Sequence, residues 1–328
     1  MEISVVVPVR NEEKSIRHLL DGLLAQTRKP NEVVITDGGS TDATAEIIEE
    51  YSNRGFPVRL IRTTGALPGR GRNLAAAEAR FEWLAFIDAG IRPAADWLAA
   101  LSERAEAEKA DVVYGGWEPN IDNFFAECAA IAYVPPPTRN GDAVMRPRFI
   151  ASTLMRRHVW ESVGGFPEDL RSAEDLLFMN KVADSRFRAA YAPAAMVRWS
   201  LQPTLALTFK RFASYARNNI RAGLWGDWQA AIFKRYGLIL LSAFPAFVLG
   251  PRWLLLMPAL WLLMLTARGL VAIWRNRKCY PANLARNVLR LAVLIPFLAM
   301  LDAAAMVGSL QWLFKDRVNK TIGVTNGA

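Results

Sequence analysis

Ile3-Ser4-Val5-Val6-Val7-Pro8-Val9-Arg10-Asn11-Glu12-Glu13 is the stretch from which the fold is read. Its first seven residues are mostly β-branched and do not alternate with polar ones. They predict a short strand buried on both faces, as in parallel sheets. Asn11 then reads as an N-cap, with Glu12 and Glu13 in the first turn of a helix to about Ala25. The pattern repeats downstream. Val33 to Thr36 is a second apolar strand, Asp37-Gly38-Gly39-Ser40 a tight turn, and Thr41 or Asp42 the cap of a helix to Tyr51. Val58 to Arg62 is a third strand, Gly65 to Gly71 a glycine-rich loop, Asn73 to Phe81 a helix, and Trp83 to Ile87 a fourth strand ending at Asp88. Alternating strands and helices predict an α/β fold with a mostly parallel, Rossmann-like sheet flanked by helices. Ligands of such sheets bind at the carboxyl ends of the strands, where Arg10, Asp37 and Asp88 fall.

Beyond this core the pattern changes. Trp117 to Arg148 is irregular, contains Pro135-Pro136-Pro137, and reads as a long loop of the functional or mobile kind. Leu205 to Trp228 mixes large apolar residues with Lys210, Arg211, Arg217 and Arg221, which suits an interfacial amphipathic helix. Three hydrophobic blocks follow: Ile232 to Gly250, Trp253 to about Trp274 with Arg268 inside, and Val288 to Phe314 with Asp302 inside. Each is long enough for the roughly 20 apolar residues that cross a bilayer, though none is free of polar interruptions. The expected organisation is a catalytic domain over 1–204, an amphipathic region over 205–230, and two to three membrane-anchoring helices over 231–328.

Charge supports the membrane assignment. The chain carries a formal +9, yet from Ala231 onward there are twelve Lys or Arg residues and two acids, Asp302 and Asp316. The basic excess therefore belongs to the hydrophobic end, where it indicates anionic headgroups rather than nucleic acid. Arg275, Arg277, Lys278, Arg286 and Arg290, between the second and third blocks, predict a cytoplasmic segment, and Lys234 and Arg235 agree. The tail residues Lys315, Arg317 and Lys320 conflict with three full crossings, which leaves a re-entrant or interfacial block as an alternative. Asp302 reads either as an intramembrane functional acid or as a partner for Arg268. Cys128 and Cys279 make no disulfide framework, and two histidines, His18 and His158, argue against a His-based zinc site. No signal-peptide pattern precedes Ile3. The first turn lacks G-x-G-x-x-G, which argues against a dinucleotide-dependent dehydrogenase.

Five elements occur in order: Val5-Val6-Val7-Pro8-Val9-Arg10-Asn11-Glu12-Glu13, Asp37-Gly38-Gly39-Ser40-Thr41-Asp42, Arg72-Asn73, Phe86-Ile87-Asp88-Ala89-Gly90 and Glu174-Asp175. Over about residues 3–220 the chain resembles the inverting family-2 glycosyltransferases of GT-A fold. The Asp88-Ala89-Gly90 variant, Trp97-Leu98 and the hydrophobic tail resemble a bacterial membrane-associated subgroup. The resemblance implies a nucleotide-sugar donor, UDP- more than GDP-linked, contacted by Pro8, Arg10, Glu12, Asp37, Arg72 and Asp88. It implies a divalent cation, Mg²⁺ or Mn²⁺, on Asp88, the first acid of the family's D-x-D motif, with dependence weakened because Gly90 replaces the second acid. It implies Asp175 as general base supported by Glu174, and Arg217 as a contact to the diphosphate or acceptor. Gly38 replaces a second acid common beside Asp37, and the Q/R-x-x-R-W motif of processive synthases is missing. The expected acceptor is lipid-linked or a membrane glycan, at the cytoplasmic membrane with the catalytic domain facing the cytoplasm. A nucleotide-sugar-binding scaffold without activity is the competing expectation, motivated by Gly38 and Gly90.

Overall fold

The computed structural model describes residues 1–140 and 143–317, and the chain divides into two compact units. The first comprises residues 1–120 and 137–200, and the second residues 121–136 together with those from 201 onward. Residues 121–136, assigned by sequence to the first domain, therefore cluster with the C-terminal helices.

The first unit opens with β1 (Ile3–Val9), α1 (Ile16–Leu24), β2 (Glu32–Asp37), α2 (Thr44–Asn53), β3 (Val58–Arg62), α3 (Pro68–Glu78), β4 (Trp83–Phe86), β5 (Ile91–Pro93), α4 (Trp97–Ala107) and β6 (Val112–Asn120). The order β3-β2-β1-β4 is parallel throughout. Pro8 is tolerated in the central strand for a simple reason. The Val6 carbonyl accepts from Ile87 N–H at the end of β4, so the Pro8 nitrogen, two residues on, points where β4 has already ended.

Two boundaries differ from expectation. Asn11 has φ +55° and accepts from the Thr41 N–H at 2.8 Å, so its side chain braces the neighbouring turn instead of capping α1. The helix starts at Ile16, with Glu12 and Glu13 outside its first turn. Its apolar face, Ile16, Leu19, Leu20 and Leu23, is fully buried at helical spacing. In the second case α3 begins at Pro68, whose fixed φ suits the first helical position. Gly69 and Gly71 thus lie within the helix rather than in a loop before it.

After residue 136 the first unit continues with a hairpin of β7 (Thr138–Asn140) and β8 (Ala143–Met145), then β9 (Thr153–Arg156), α6 (Arg157–Ser162), α7 (Glu174–Asp184) and β10 (Ala189–Ser200). The eight-stranded sheet runs β3-β2-β1-β4-β9-β6-β10-β5. β9 is antiparallel to both β4 and β6, and β5 antiparallel to β10, so the sheet is mixed beyond β4.

The second unit contains α5 (Phe124–Tyr133), α8 (Leu205–Arg221), α9 (Trp225–Trp228), α10 (Ala230–Leu241), α11 (Phe244–Leu249), α12 (Leu256–Asn276) and α13 (Leu284–Gln311). The irregular stretch expected over 117–148 thus holds a helix. Asn123 caps α5 by accepting from Ala126 N–H at 2.9 Å, and Pro135 follows its end. Three helical segments, 230–249, 251–276 and 284–317, are long and apolar enough to cross a membrane. Arg268 Nη2 donates to Asp302 Oδ1 at 3.1 Å, Arg235 approaches the same carboxylate at 3.8 Å, and Tyr236 Oη donates to it at 3.2 Å. Asp302 therefore has the partner that the sequence offered as one of its two readings. Lys320 lies outside the described residues.

Candidate active site

The site is assembled in the first unit at the carboxyl ends of β1, β2 and β4. At the end of β2, Asp37 is almost fully buried. Its Oδ1 accepts from Gly39 N–H at 3.1 Å, Ser40 N–H at 2.9 Å and Ser40 Oγ at 2.7 Å. One carboxylate oxygen therefore shapes the turn. A Cβ on Gly38 would fall 2.5 Å from the Ala66 carbonyl oxygen, so glycine stands here because the backbone of the next crossover passes too close for a side chain. Gly90 is the opposite case, since a Cβ there meets nothing within 4 Å. The departure at Gly38 is sterically imposed, and the one at Gly90 is not.

After β1, Arg10 is exposed and Glu12 half-buried. Glu12 N–H donates to Thr44 Oγ1 at 2.8 Å, and Ser15 Oγ donates to its carboxylate. Pro8 lies in the strand at partial exposure.

The centre of the site is Arg72, 3% exposed in the second turn of α3. Its Nη1 donates to Glu174 Oε1 at 2.7 Å and its Nη2 to Asp88 Oδ1 at 2.8 Å. The Phe166 ring lies beneath the guanidinium, 5.4 Å from ring centroid to Cζ, and stacks in turn on Phe178 at 3.9 Å. Three motif elements from α3, the end of β4 and the start of α7 thus meet at one planar cation, whose fork suits two carboxylates at once. Burial alone would lower the Arg72 pKa, but Asp88, Glu174 and Asp175 outweigh it and raise the value above the usual arginine range. Two buried atoms in this cluster, Arg72 Nε and Glu174 Oε2, have no hydrogen-bond partner among the described residues.

Glu174 and Asp175 open α7 after Ala173, which has φ +72° and is nearly buried. A non-glycine residue in this left-handed region is strained, and such strain tends to persist where it aims functional groups. Here the turn aims Glu174 at Arg72, while Asp175 is half-buried and accepts from Leu176 N–H at 2.8 Å. Burial raises both carboxyls above the ordinary range, and Arg72 opposes the shift in each case.

Close packing fixes α3 in place. A Cβ on Gly69 would fall 2.0 Å from the Pro167 carbonyl oxygen. Asn73 donates to the Phe166 carbonyl and Glu168 Oε1, each at 2.9 Å, and accepts from Phe166 N–H at 2.9 Å and Trp160 Nε1 at 3.0 Å. Asn73 thus clamps the loop that carries Phe166. Sequence reasoning noted the Arg72-Asn73 pair but gave the asparagine no role, and it missed Phe166 under the guanidinium. Arg217 is not part of this group. It lies in the second unit and pairs bidentately with Asp316 at 2.7 and 2.8 Å.

Among the described residues no group of three or more His, Cys, Asp or Glu side chains is placed to hold a metal. Asp88 offers one carboxylate, one oxygen of which faces Arg72, and its side chain is 35% exposed. Such a donor set fits a cation that takes its remaining ligands from a diphosphate and water.

Residues 4–151 match the family described as Glycosyl transferase family 2. The chain is 27% identical over 192 residues to the uncharacterized glycosyltransferase EpsJ of Bacillus subtilis, covering 54% of each chain. It is 31% identical over 199 residues to the poly(ribitol-phosphate) beta-N-acetylglucosaminyltransferase TarS of Staphylococcus aureus, covering 55% of this chain and 32% of TarS. The chain thus spans about half the length, or less, of these curated relatives. A crystal structure of TarS residues 1–349 with UDP-GlcNAc superposes with a TM-score of 0.50 at 20% identity, over 94% of this chain and 92% of that one. The mannosyltransferase PcManGT of Pyrobaculum calidifontis, in complex with GDP-Man and Mn²⁺, gives a TM-score of 0.57 at 20% identity, over 96% and 88%. These structures share the GT-A fold with the chain.

Proposed function

We propose that the chain, whose residues 4–151 match the family described as Glycosyl transferase family 2, is a membrane-anchored, inverting glycosyltransferase. It moves a sugar from a nucleotide-sugar donor to a lipid-linked or membrane glycan acceptor. The observation that carries this reading is the Arg72 bridge between Asp88 and Glu174, which gathers the expected donor and base regions at one end of the sheet. A binding scaffold would have no use for Glu174, aimed at Arg72 by a strained Ala173, with a second carboxylate, Asp175, beside it.

In this mechanism the nucleoside of the donor lies along Pro8, Arg10, Glu12 and Asp37, and its diphosphate near Arg72 and Asp88. Asp175 takes the proton of an acceptor hydroxyl as that oxygen attacks C1 of the sugar. The new O–C1 bond forms while the bond from C1 to the diphosphate oxygen breaks, and the electron pair leaves with the nucleoside diphosphate. Attack from the face opposite the leaving group inverts the anomeric configuration. Arg72 holds Glu174 beside the base and supplies fixed positive charge near the diphosphate. A divalent cation, Mg²⁺ or Mn²⁺, bound at Asp88 would further offset charge on the departing diphosphate.

Asp37 can accept from a uracil N–H, and the relative TarS is described with UDP-GlcNAc, so a UDP-sugar is preferred over a GDP-sugar. The apolar helices of the second unit and the basic residues from Arg275 to Arg290 support attachment to the cytoplasmic membrane, with the catalytic unit on the cytoplasmic side. The test is nucleotide release by lipid-reconstituted protein against a panel of UDP- and GDP-sugars, with and without membrane lipid extract. Release from a UDP-sugar that requires the extract supports the reading. Intact nucleotide binding with no release from any donor would favour the inactive scaffold.

A further inference from the structure

Resting on the membrane-anchored reading, we infer that the longest apolar helix, α13, does not cross the bilayer: it lies along the face on the side of the catalytic unit, and among the described residues only the hairpin of α10–α11 and α12 crosses.

The two ends of α13 supply the first argument. Near its start, Arg286 and Arg290 both donate to the buried Glu127 of α5, with Arg290 Nε 2.6 Å from Oε1. Beyond its end, Asp316 takes both donors of Arg217 in α8. Between these points Phe297 packs on Phe125 and Tyr133 of α5, and Gly308 lies where a Cβ would come within 2.2 Å of the Ala213 carbonyl oxygen in α8. α13 is thus held along its length, about 42 Å at helical rise, by two other helices of its own unit.

Neither of those helices can leave the catalytic side. α5 is a ten-residue insertion, joined to the first unit by residues 121–123 and 134–136. α8 follows β10 after four residues, and its seventeen residues include Lys210, Arg211, Arg217 and Arg221. Four cations forbid α8 from spanning hydrocarbon. A crossing α13 would carry the partner of either Glu127 or Arg217 to the far side, away from a side chain that stays behind.

The hairpin behaves differently. Sixteen uncharged residues separate Arg235 from Arg252, and fifteen separate Arg252 from Arg268. Arg235 and Arg268 meet at Asp302 of α13, which fixes one polar layer at the open end of the hairpin. The turn at Gly250–Pro251, with Arg252 and Trp253, forms the other end. Each arm is about 24 Å long, and a snorkelling arginine beside an interfacial tryptophan spans the remainder of a hydrocarbon core of about 30 Å. Two crossings return the chain to its starting side. Lys315 and Arg317 then lie on the same side as Arg275, Arg277 and Lys278, which removes the charge conflict in the sequence.

The experiment is labelling with a membrane-impermeant maleimide in intact cells and in inverted vesicles. Native Cys279 is exposed and Cys128 buried. Single reporters at Glu103→Cys, Lys315→Cys and Arg252→Cys are placed in a Cys279→Ser background. We expect Cys279, Glu103→Cys and Lys315→Cys to label from one common side and Arg252→Cys from the other. Labelling of Lys315→Cys from the side opposite Glu103→Cys overturns the inference, as does labelling of Arg252→Cys on the catalytic side. Recovery of the chain in the soluble fraction would instead refute the anchoring reading on which the inference rests.

Discussion

Arg72 Nη1 lies 2.7 Å from Glu174 Oε1, joining α3 to the start of α7 across 102 positions of sequence. Both side chains are nearly fully buried, and the same guanidinium reaches Asp88. Breaking a buried pair leaves a charge without a partner, which costs about 3–5 kcal/mol. Arg72→Met should therefore lose that much unfolding free energy in denaturant titrations. Glu174→Gln, which keeps a hydrogen-bond acceptor, should lose less.

The two carboxyls at the head of α7 set a pH dependence. Burial raises the Asp175 pKa, so the acid limb of kcat/KM should lie above the ordinary aspartate value of about 3.9. Arg72 opposes that shift, so Arg72→Met should move the limb of the residual activity further up. The stability sign follows from the same direction. A carboxyl whose folded pKa is raised contributes stability that is present below its unfolded pKa and lost as pH rises through the folded one. At neutral pH Asp175→Asn should therefore melt above the parent, with the difference shrinking toward acid. A thermal unfolding series from pH 4 to 8 measures both.

Ala173 has φ +72° two residues before Asp175, the proposed base. Relief of a left-handed alanine is worth about 1–2 kcal/mol, set against an unfolded-state entropy cost of about 0.4–1 kcal/mol. Ala173→Gly should match or slightly exceed the parent in stability. Ala173→Val should lose at least 1 kcal/mol or so by the steric penalty on a branched residue at positive φ, and turnover should fall with it.

The two glycine departures should respond in opposite ways. Gly38→Ala drives a Cβ to 2.5 Å from the Ala66 carbonyl oxygen and should destabilise by about 1–3 kcal/mol. Gly90→Asp enters open space, should fold as the parent does, and should tighten the Mn²⁺ concentration dependence of transfer by adding a second carboxylate. Equal Mn²⁺ curves for parent and variant would count against a cation at Asp88.

The parallel half of the sheet was readable because its signals are local: apolar runs at Ile3–Val9 and at residues 33–35, followed by turn residues. β9, antiparallel between β4 and β6, was not readable, because pairing partners far apart in sequence leave no periodic mark. Asn11 has the composition of a helix cap, yet tertiary bonding to Thr41 overrode that preference. α5 carried a cap signal in Asn123 that the following prolines obscured. At the site, Asp88, Glu174 and Asp175 were legible as motif acids. Arg72 was legible as an expected contact to the donor but not as the bridge between Asp88 and Glu174, and the supports from Asn73 and Phe166 depend on contacts about 90 residues away in sequence.

The central claim is that Asp175 removes the acceptor proton while the donor is held by other groups. It is tested most directly by measuring UDP binding and sugar transfer on one preparation of Asp175→Asn in lipid. The account predicts UDP affinity within about threefold of the parent and transfer reduced by at least about 10²-fold, the lower end of general-base contributions. Transfer at the parental rate with unchanged UDP affinity would contradict it.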